Sequence, residues 1–208
     1  VLQPIGEVAS LCRQHGVPFH SDATQAPGRL CLDLAVPDMV TLSAHKFGGP
    51  RGVGLLASRT QLSSLLRGGA QERGMRPGTT NVAGAVGMAI AARLCGEQST
   101  AERDRLEGVA RSLGAEVISG GAARLPNTSC LLFDVPGDLI VMALDLMGVA
   151  CSTGSACASG APSRSHVLEA LGRSGTPVRF SLGPDTVVEG VLDALRSAVQ
   201  QVRRGCGS

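Results

Sequence analysis

Apolar residues recur at helical spacing in Ile5, Val8, Leu11 and Cys12, a face that Gly16 can end. The run from Val17 to His20 then predicts a short strand. Residues 39–43 and 52–57 predict two more strands, separated by a Gly/Pro-rich loop, and the small apolar stretch 81–94 predicts a packed helix. Helices alternating with short buried strands imply an α/β layer on a largely parallel sheet. After Cys95 the pattern changes. Residues 102–115 predict a charged amphipathic helix with Leu106, Val109, Ala110 and Leu113 inward. Strands are predicted over 129–133 and 149–152 with a helix over 138–147 between them, then a strand over 178–181 and a closing helix over 187–203. This second half reads as a smaller α+β domain. The polar stretch 96–100 is the junction, dividing the chain into 1–96 and 97–208.

Composition adds a soluble core and removes several functions. The 208 residues are 43% hydrophobic and 17% charged, which suits a globular chain, but only four aromatic residues are present, all Phe. Stacking on single-stranded bases is therefore disfavoured, and a net charge of +2 with scattered arginines gives no basic stripe for nucleic acid or membrane. No apolar run reaches the ~18 residues of a membrane-crossing helix, so a soluble, cytoplasmic protein is expected. Seven cysteines, an odd number with no C-x-x-C pair, predict neither a disulfide framework nor a zinc site.

One compositional fact changes the picture. Lys46 is the only lysine, beside 18 arginines, and it lies in Ser43-Ala44-His45-Lys46-Phe47-Gly48-Gly49-Pro50 at the end of a predicted strand. A lysine can lose its proton and form a Schiff base, whereas a guanidinium stays charged. Near it in sequence, Asp22 and Gln25 stand three apart just past another strand, where ligands of α/β sheets bind; helix capping by Asp22 is the structural alternative. Ser43 and His45 can donate to a phosphate. The Gly-rich segment from Gly68 to Asn81 offers backbone amides and the hydroxyls of Thr79 and Thr80 to an anion. Cys157, in Cys151-Ser152-Thr153-Gly154-Ser155-Ala156-Cys157-Ala158-Ser159-Gly160, is flanked by small residues that shield its sulfur little, as suits a reaching nucleophile.

Together the segments S-A-H-K, G-x-Q-E-R-x-x-R-P-G-T, S-x-G-S-A-C and R-F-S-L-G resemble the cysteine desulfurases of the NifS and IscS kind, class-V aminotransferase-like enzymes that use pyridoxal phosphate. The resemblance runs from Val1 to about Arg196. It implies the C-terminal half of the large cofactor-binding domain followed by a small α+β domain. Lys46 would hold the cofactor through its amine and move protons at the substrate α-carbon. Asp22 would keep the pyridine nitrogen protonated, Gln25 would bond the ring hydroxyl, and Ser43 and His45 would hold the phosphate with Thr79 from the partner subunit of a homodimer. Arg179 would clamp the substrate carboxylate. Cys157 would take sulfur from L-cysteine as a persulfide and pass it to an acceptor such as an iron–sulfur scaffold protein, while Cys151 is read as structural.

The resemblance also implies what lies outside these 208 residues. Family members are nearly twice as long, and their N-terminal half supplies a Gly/Thr phosphate loop, a ring-stacking His and an Asn near the substrate. Half a sheet is expected to bind the cofactor poorly and to leave an edge strand prone to aggregation. Gly48 stands where the family usually has an aromatic residue, so a looser lysine loop is expected. Selenocysteine lyase is the close relative sharing this chemistry, and a non-catalytic truncated subunit is the alternative of another class.

Overall fold

In the computed structural model, which describes residues 1–154 and 165–207, the chain forms two compact units, residues 2–98 and, with Val1, the residues from Ser99 onward. In the first, α1 spans Ile5–Gln14 and ends before Gly16, whose φ of +63° suits a residue without Cβ. Its inward face is centred on buried Ala9, flanked by half-buried Ile5, Val8 and Cys12. Leu11 lies roughly 100° off that i, i+3, i+4, i+7 stripe and is 56% exposed, contrary to the expected inward placement.

β1 spans His20–Asp22, shifted from the predicted 17–20 because Pro18 has no N–H for the ladder. β2, Met39–Ser43, pairs parallel with β1, and β3, Gly54–Ser58, pairs antiparallel with β2 in the order β1-β2-β3. The sheet is therefore mixed rather than largely parallel. The connection between β2 and β3 is shorter than the dozen or so residues a parallel crossover needs. Val40 faces the core, and Ala44, Phe47, Met88 and Ala91 form a cluster with Leu42, Val53 and Cys95. α2, Val82–Leu94, begins at Asn81, whose Oδ1 accepts from Gly84 N at 3.0 Å. Its other long side has Val82, Val86, Ile90 and Leu94 exposed.

The second unit is α3 (Ala101–Ser112), β4 (Glu116–Val117), β5 (Thr128–Leu132), α4 (Gly137–Leu146), β6 (Ser152–Thr153), α5 (His166–Ala170), β7 (Val178–Ser181) and α6 (Val188–Cys206). Its sheet has the order β4-β5-β7-β6 and every pairing is antiparallel. Ser129 and Leu131 of β5 and Val178 and Phe180 of β7 point into a core with Leu106, Ile140, Leu144, Val188, Leu195 and Val199. Mixed α/β architecture thus holds in both units. No helix among the described residues is long and apolar enough to cross a membrane.

A carboxylate lies inside this core. The Glu107 side chain on α3 is only 3% exposed; its Oε1 accepts from Arg124 Nη1 at 2.7 Å and Ser129 Oγ at 2.9 Å, and its Oε2 from Arg111 Nη2 at 3.1 Å. Burial pushes its pKa up most strongly, but the hydrogen bonds from Arg124 and Ser129 and the guanidinium charges outweigh it, so the net shift is downward. The stabilisation this carboxylate gives is complete above the ordinary glutamate value of about 4.3 and is lost as pH falls below it through the lowered native value. Glu107→Gln keeps the shape but leaves the Arg124 guanidinium, 10% exposed, without its counter-charge. Urea unfolding at neutral pH should show a loss of about 3 kcal/mol, shrinking in acid.

Candidate active site

The residues with candidate chemistry in the first unit gather at the carboxyl ends of β1 and β2, where α/β sheets bind ligands. Val40 and Leu42 turn to the core, so alternation puts Thr41 and Ser43 on the opposite face, beside His20 and Asp22 of β1. Directly after β2 the chain makes a single 3₁₀ turn, Ala44–Lys46. Fully buried Ala44 anchors it: its N–H donates to Val53 O at 3.0 Å, and its carbonyl accepts from Phe47 N at 3.1 Å and Gly49 N at 2.9 Å. His45 and Lys46, at the end of the turn, are exposed. Ser43 Oγ and His45 Nδ1 are 3.0 Å apart, a hydroxyl and an imidazole presented together.

Gly49 and α2 keep this loop close to the sheet. A Cβ on Gly49 would lie 2.9 Å from Ala44 Cβ, and one on Gly87 would lie 3.1 Å from Pro50 Cγ. Side chains there would push the loop away. Gly48, with φ +90°, makes the reversal, and the hydrogen bonds to Ala44 pin the loop on both sides of it.

Asp22 caps no helix; its Oδ1 accepts the Thr24 N–H at 2.9 Å in a local turn. Its pKa is lowered, first by that main-chain hydrogen bond and by the Thr24 side chain, against the opposing effect of burial, with His20 and Thr41 adding to the lowering. An anionic carboxylate at a strand end suits a ring-nitrogen partner. Gln25 is exposed, and its main-chain oxygen accepts from Arg29 Nη1 at 2.8 Å, which braces the turn. Burial lowers the pKa of Arg29.

Thr79 lies exposed in the Gly-rich segment 68–81. The segment carries a short 3₁₀ helix, Gln71–Gly74, in which Glu72 and Arg73 have φ of +49° and +58°. Left-handed conformations in non-glycine residues cost about 1–3 kcal/mol each and persist where neighbours enforce them. Here Gln71 Oε1 accepts from Gly78 N at 3.1 Å and Arg76 Nη1 donates to Thr79 O at 3.2 Å.

In the second unit Arg179 lies on β7, paired with Cys130 of β5 and Ser152 of β6. Its Nε is buried without a hydrogen-bond partner among the described residues. Such a donor is costly unless an acceptor arrives. Burial raises the Cys130 thiol, offset in part by the Arg179 charge and the chain's amino terminus. Burial, then Asp145, pushes Cys151 up to about 11, so its sulfur stays a thiol at neutral pH. Cys157 lies outside the described residues. Sequence reasoning named no use for His20 or Thr41; the signal was the alternation His20, Asp22 and Thr41, Ser43 at neighbouring strand ends.

The donor set of the first unit, an amine, a carboxylate, a hydroxyl and an imidazole at the carboxyl ends of two neighbouring strands, fits pyridoxal phosphate. Aminotransferase class-V proteins match residues 1–194. The chain is 43% identical to a cysteine desulfurase of Cereibacter sphaeroides, with 96% of the chain and 56% of that protein covered. It is 41% identical to an IscS-like cysteine desulfurase of Mycobacterium tuberculosis, over 97% of the chain and 57% of that protein. Among solved structures, a NifS-like protein superposes with a TM-score of 0.84 at 30% identity, covering 97% of this chain and 57% of that one. A NifS-like protein from Rickettsia africae gives 0.81 at 27%, over 98% and 58%. The chain spans just over half the length of the curated relatives it matches.

Proposed function

Because the chain belongs to the aminotransferase class-V family, we propose that it works in a pyridoxal-phosphate-dependent cysteine desulfurase, converting L-cysteine to L-alanine and holding the released sulfur on Cys157. The observation that carries this reading is the placing of Asp22, Ser43, His45 and Lys46 at the carboxyl ends of two neighbouring parallel strands, in a chain about 40% identical to cysteine desulfurases. When bound, pyridoxal phosphate supplies an electron sink at the substrate α-carbon. Lys46 holds it through the amine and moves the α-proton. Asp22 keeps a proton on the ring nitrogen and Gln25 donates to the ring hydroxyl. Ser43 and His45 donate to the phosphate, joined by Thr79 from the second subunit of a homodimer.

Arg179 meets the substrate carboxylate with two parallel N–H donors. That acceptor would also answer the buried Nε left without a partner. The Cys157 thiolate attacks the substrate sulfur; the carbon–sulfur bond breaks, a sulfur–sulfur bond forms, and protons return to carbon to give alanine. The balance is cysteine plus thiol giving alanine plus persulfide, with no outside oxidant. The persulfide then passes to an acceptor, an iron–sulfur scaffold being the reading favoured by the IscS-like relative. A cytoplasmic setting suits this chemistry, since reducing surroundings keep Cys157 free between turnovers.

Full-length protein given L-cysteine and dithiothreitol should form alanine and sulfide in equal amounts. Formation of pyruvate and ammonia in place of alanine would sink the reading. Arg179→Leu should keep the cofactor and raise KM for cysteine by about tenfold or more, the loss expected for a charged hydrogen bond.

A further inference from the structure

Gln25 lies in a reversal between Ala23 and Leu30 that is fastened at both ends. Upstream, one residue past β1, the Ala23 N–H donates to Thr41 O of β2 at 3.0 Å. Downstream, the Arg29 and Leu30 N–H groups both donate to Ala26 O, at 3.1 and 3.0 Å, and the Ala26 N–H donates to Ala23 O at 3.0 Å. Gly28 makes the turn with φ +72°, and a Cβ there would lie 3.1 Å from Cys95 Cβ and 3.7 Å from the Cβ of Phe47, the residue after Lys46. The base of the reversal is thus packed on the loop that presents the amine. These main-chain bonds leave out the Gln25 carbonyl. It accepts instead from the Arg29 side chain, Nη1 to O at 2.8 Å. Arg29 is half-buried, and no carboxylate pairs with it among the described residues.

We propose that Arg29 is a positioning residue for Gln25: its guanidinium holds the Gln25 peptide in place and so fixes the point from which the Gln25 amide reaches the ring hydroxyl of the cofactor. This rests on the cofactor-binding reading above. A glutamine side chain has three torsions, the outermost of them broad, so its amide is aimed only if the main chain beneath it is still. A hydrogen bond from a charged donor is roughly twice as strong as a neutral one, which suits a hold on an exposed residue. Burial disfavours the charge of Arg29, yet no carboxylate answers it there; its bond goes to the main chain under Gln25. Because Gly28, directly before it, packs on Phe47, Arg29 also sets Gln25 relative to the Lys46 loop.

Arg29→Met in the full-length protein keeps a long apolar stem and removes the donors. Its dissociation constant for pyridoxal phosphate should rise about fivefold, the share of a single hydrogen bond, and the absorbance maximum of the bound cofactor should shift as the ring hydroxyl loses a settled partner. Gln25→Ala alone should raise the constant about tenfold, and Arg29→Met should add nothing further in that background, since its effect passes through the side chain already removed. Additive losses, or wild-type affinity in Arg29→Met, overturn this proposal alone. So does loss of the native circular dichroism in Arg29→Met, which would make the arginine a brace of the fold. Wild-type affinity and absorbance in Gln25→Ala would remove the assignment of Gln25 along with the proposal. Failure of the wild type to take up pyridoxal phosphate overturns it together with the function it rests on.

Discussion

Lys46→Ala in the full-length protein is expected to abolish the visible absorbance that pyridoxal phosphate gives when joined to a lysine, and to stop alanine formation. The chain holds no second lysine, so no neighbouring amine from these 208 residues can substitute. Lys46→Arg sharpens the result: it keeps the charge on the same 3₁₀ turn but cannot lose its proton, so the band should vanish there as well. Loss of proton transfer alone costs about 10²–10⁴-fold in rate, before the lost covalent hold on the cofactor is counted. The anchoring of the loop rests on Ala44, Phe47 and Gly49, so neither substitution disturbs the fold, which circular dichroism would verify. Persistence of the band in Lys46→Ala would remove Lys46 from the site.

Cys157→Ser should behave in the opposite way, with the cofactor band intact and sulfide release lost. A serine oxygen cannot take sulfur from the substrate as a thiolate does. The control is Cys151→Ser. With its thiol pushed up to about 11, Cys151 is almost wholly protonated at neutral pH and is no competitor as nucleophile, so its replacement should leave release unchanged. Normal release from Cys157→Ser would mean that another cysteine takes the sulfur.

Much of the fold was legible because burial imposes a period. β2 and β7 lie where the alternation of Met39–Ser43 and Val178–Ser181 placed them. Where the period is short or shared, the reading failed. β4 is two residues long and α5 five, too few to show a pattern. The strand expected over 149–152 shares only Ser152 with the observed Ser152–Thr153, whose two residues pair with β7. Chain direction within the first sheet is a tertiary property, visible in the brevity of the link from β2 to β3 rather than in any side chain. Glu107 was concealed by its neighbours, since a charged helix is read as facing water; Arg103 and Arg111, four residues to either side, were the available sign that this glutamate had partners. At the candidate site, strand ends could be read and with them Asp22, Ser43, His45 and Lys46. The sideways links could not be read. That Thr41 pairs with Asp22, or that Arg179 lies beside Cys130, depends on register, which no single strand reveals.

The clasp formed by Ala44 and Gly49 bears on how this stretch can vary. In a saturation library across residues 44–50, tolerance should follow space and backbone angle rather than distance from Lys46. Ala44, without exposed surface, and Gly49, whose added carbon would strike it, leave almost no room for drift. Gly48 has open space around it, and only its backbone angle narrows the choice towards asparagine-like residues. Descendants of this sequence can therefore change what the loop displays far more readily than how it is fastened.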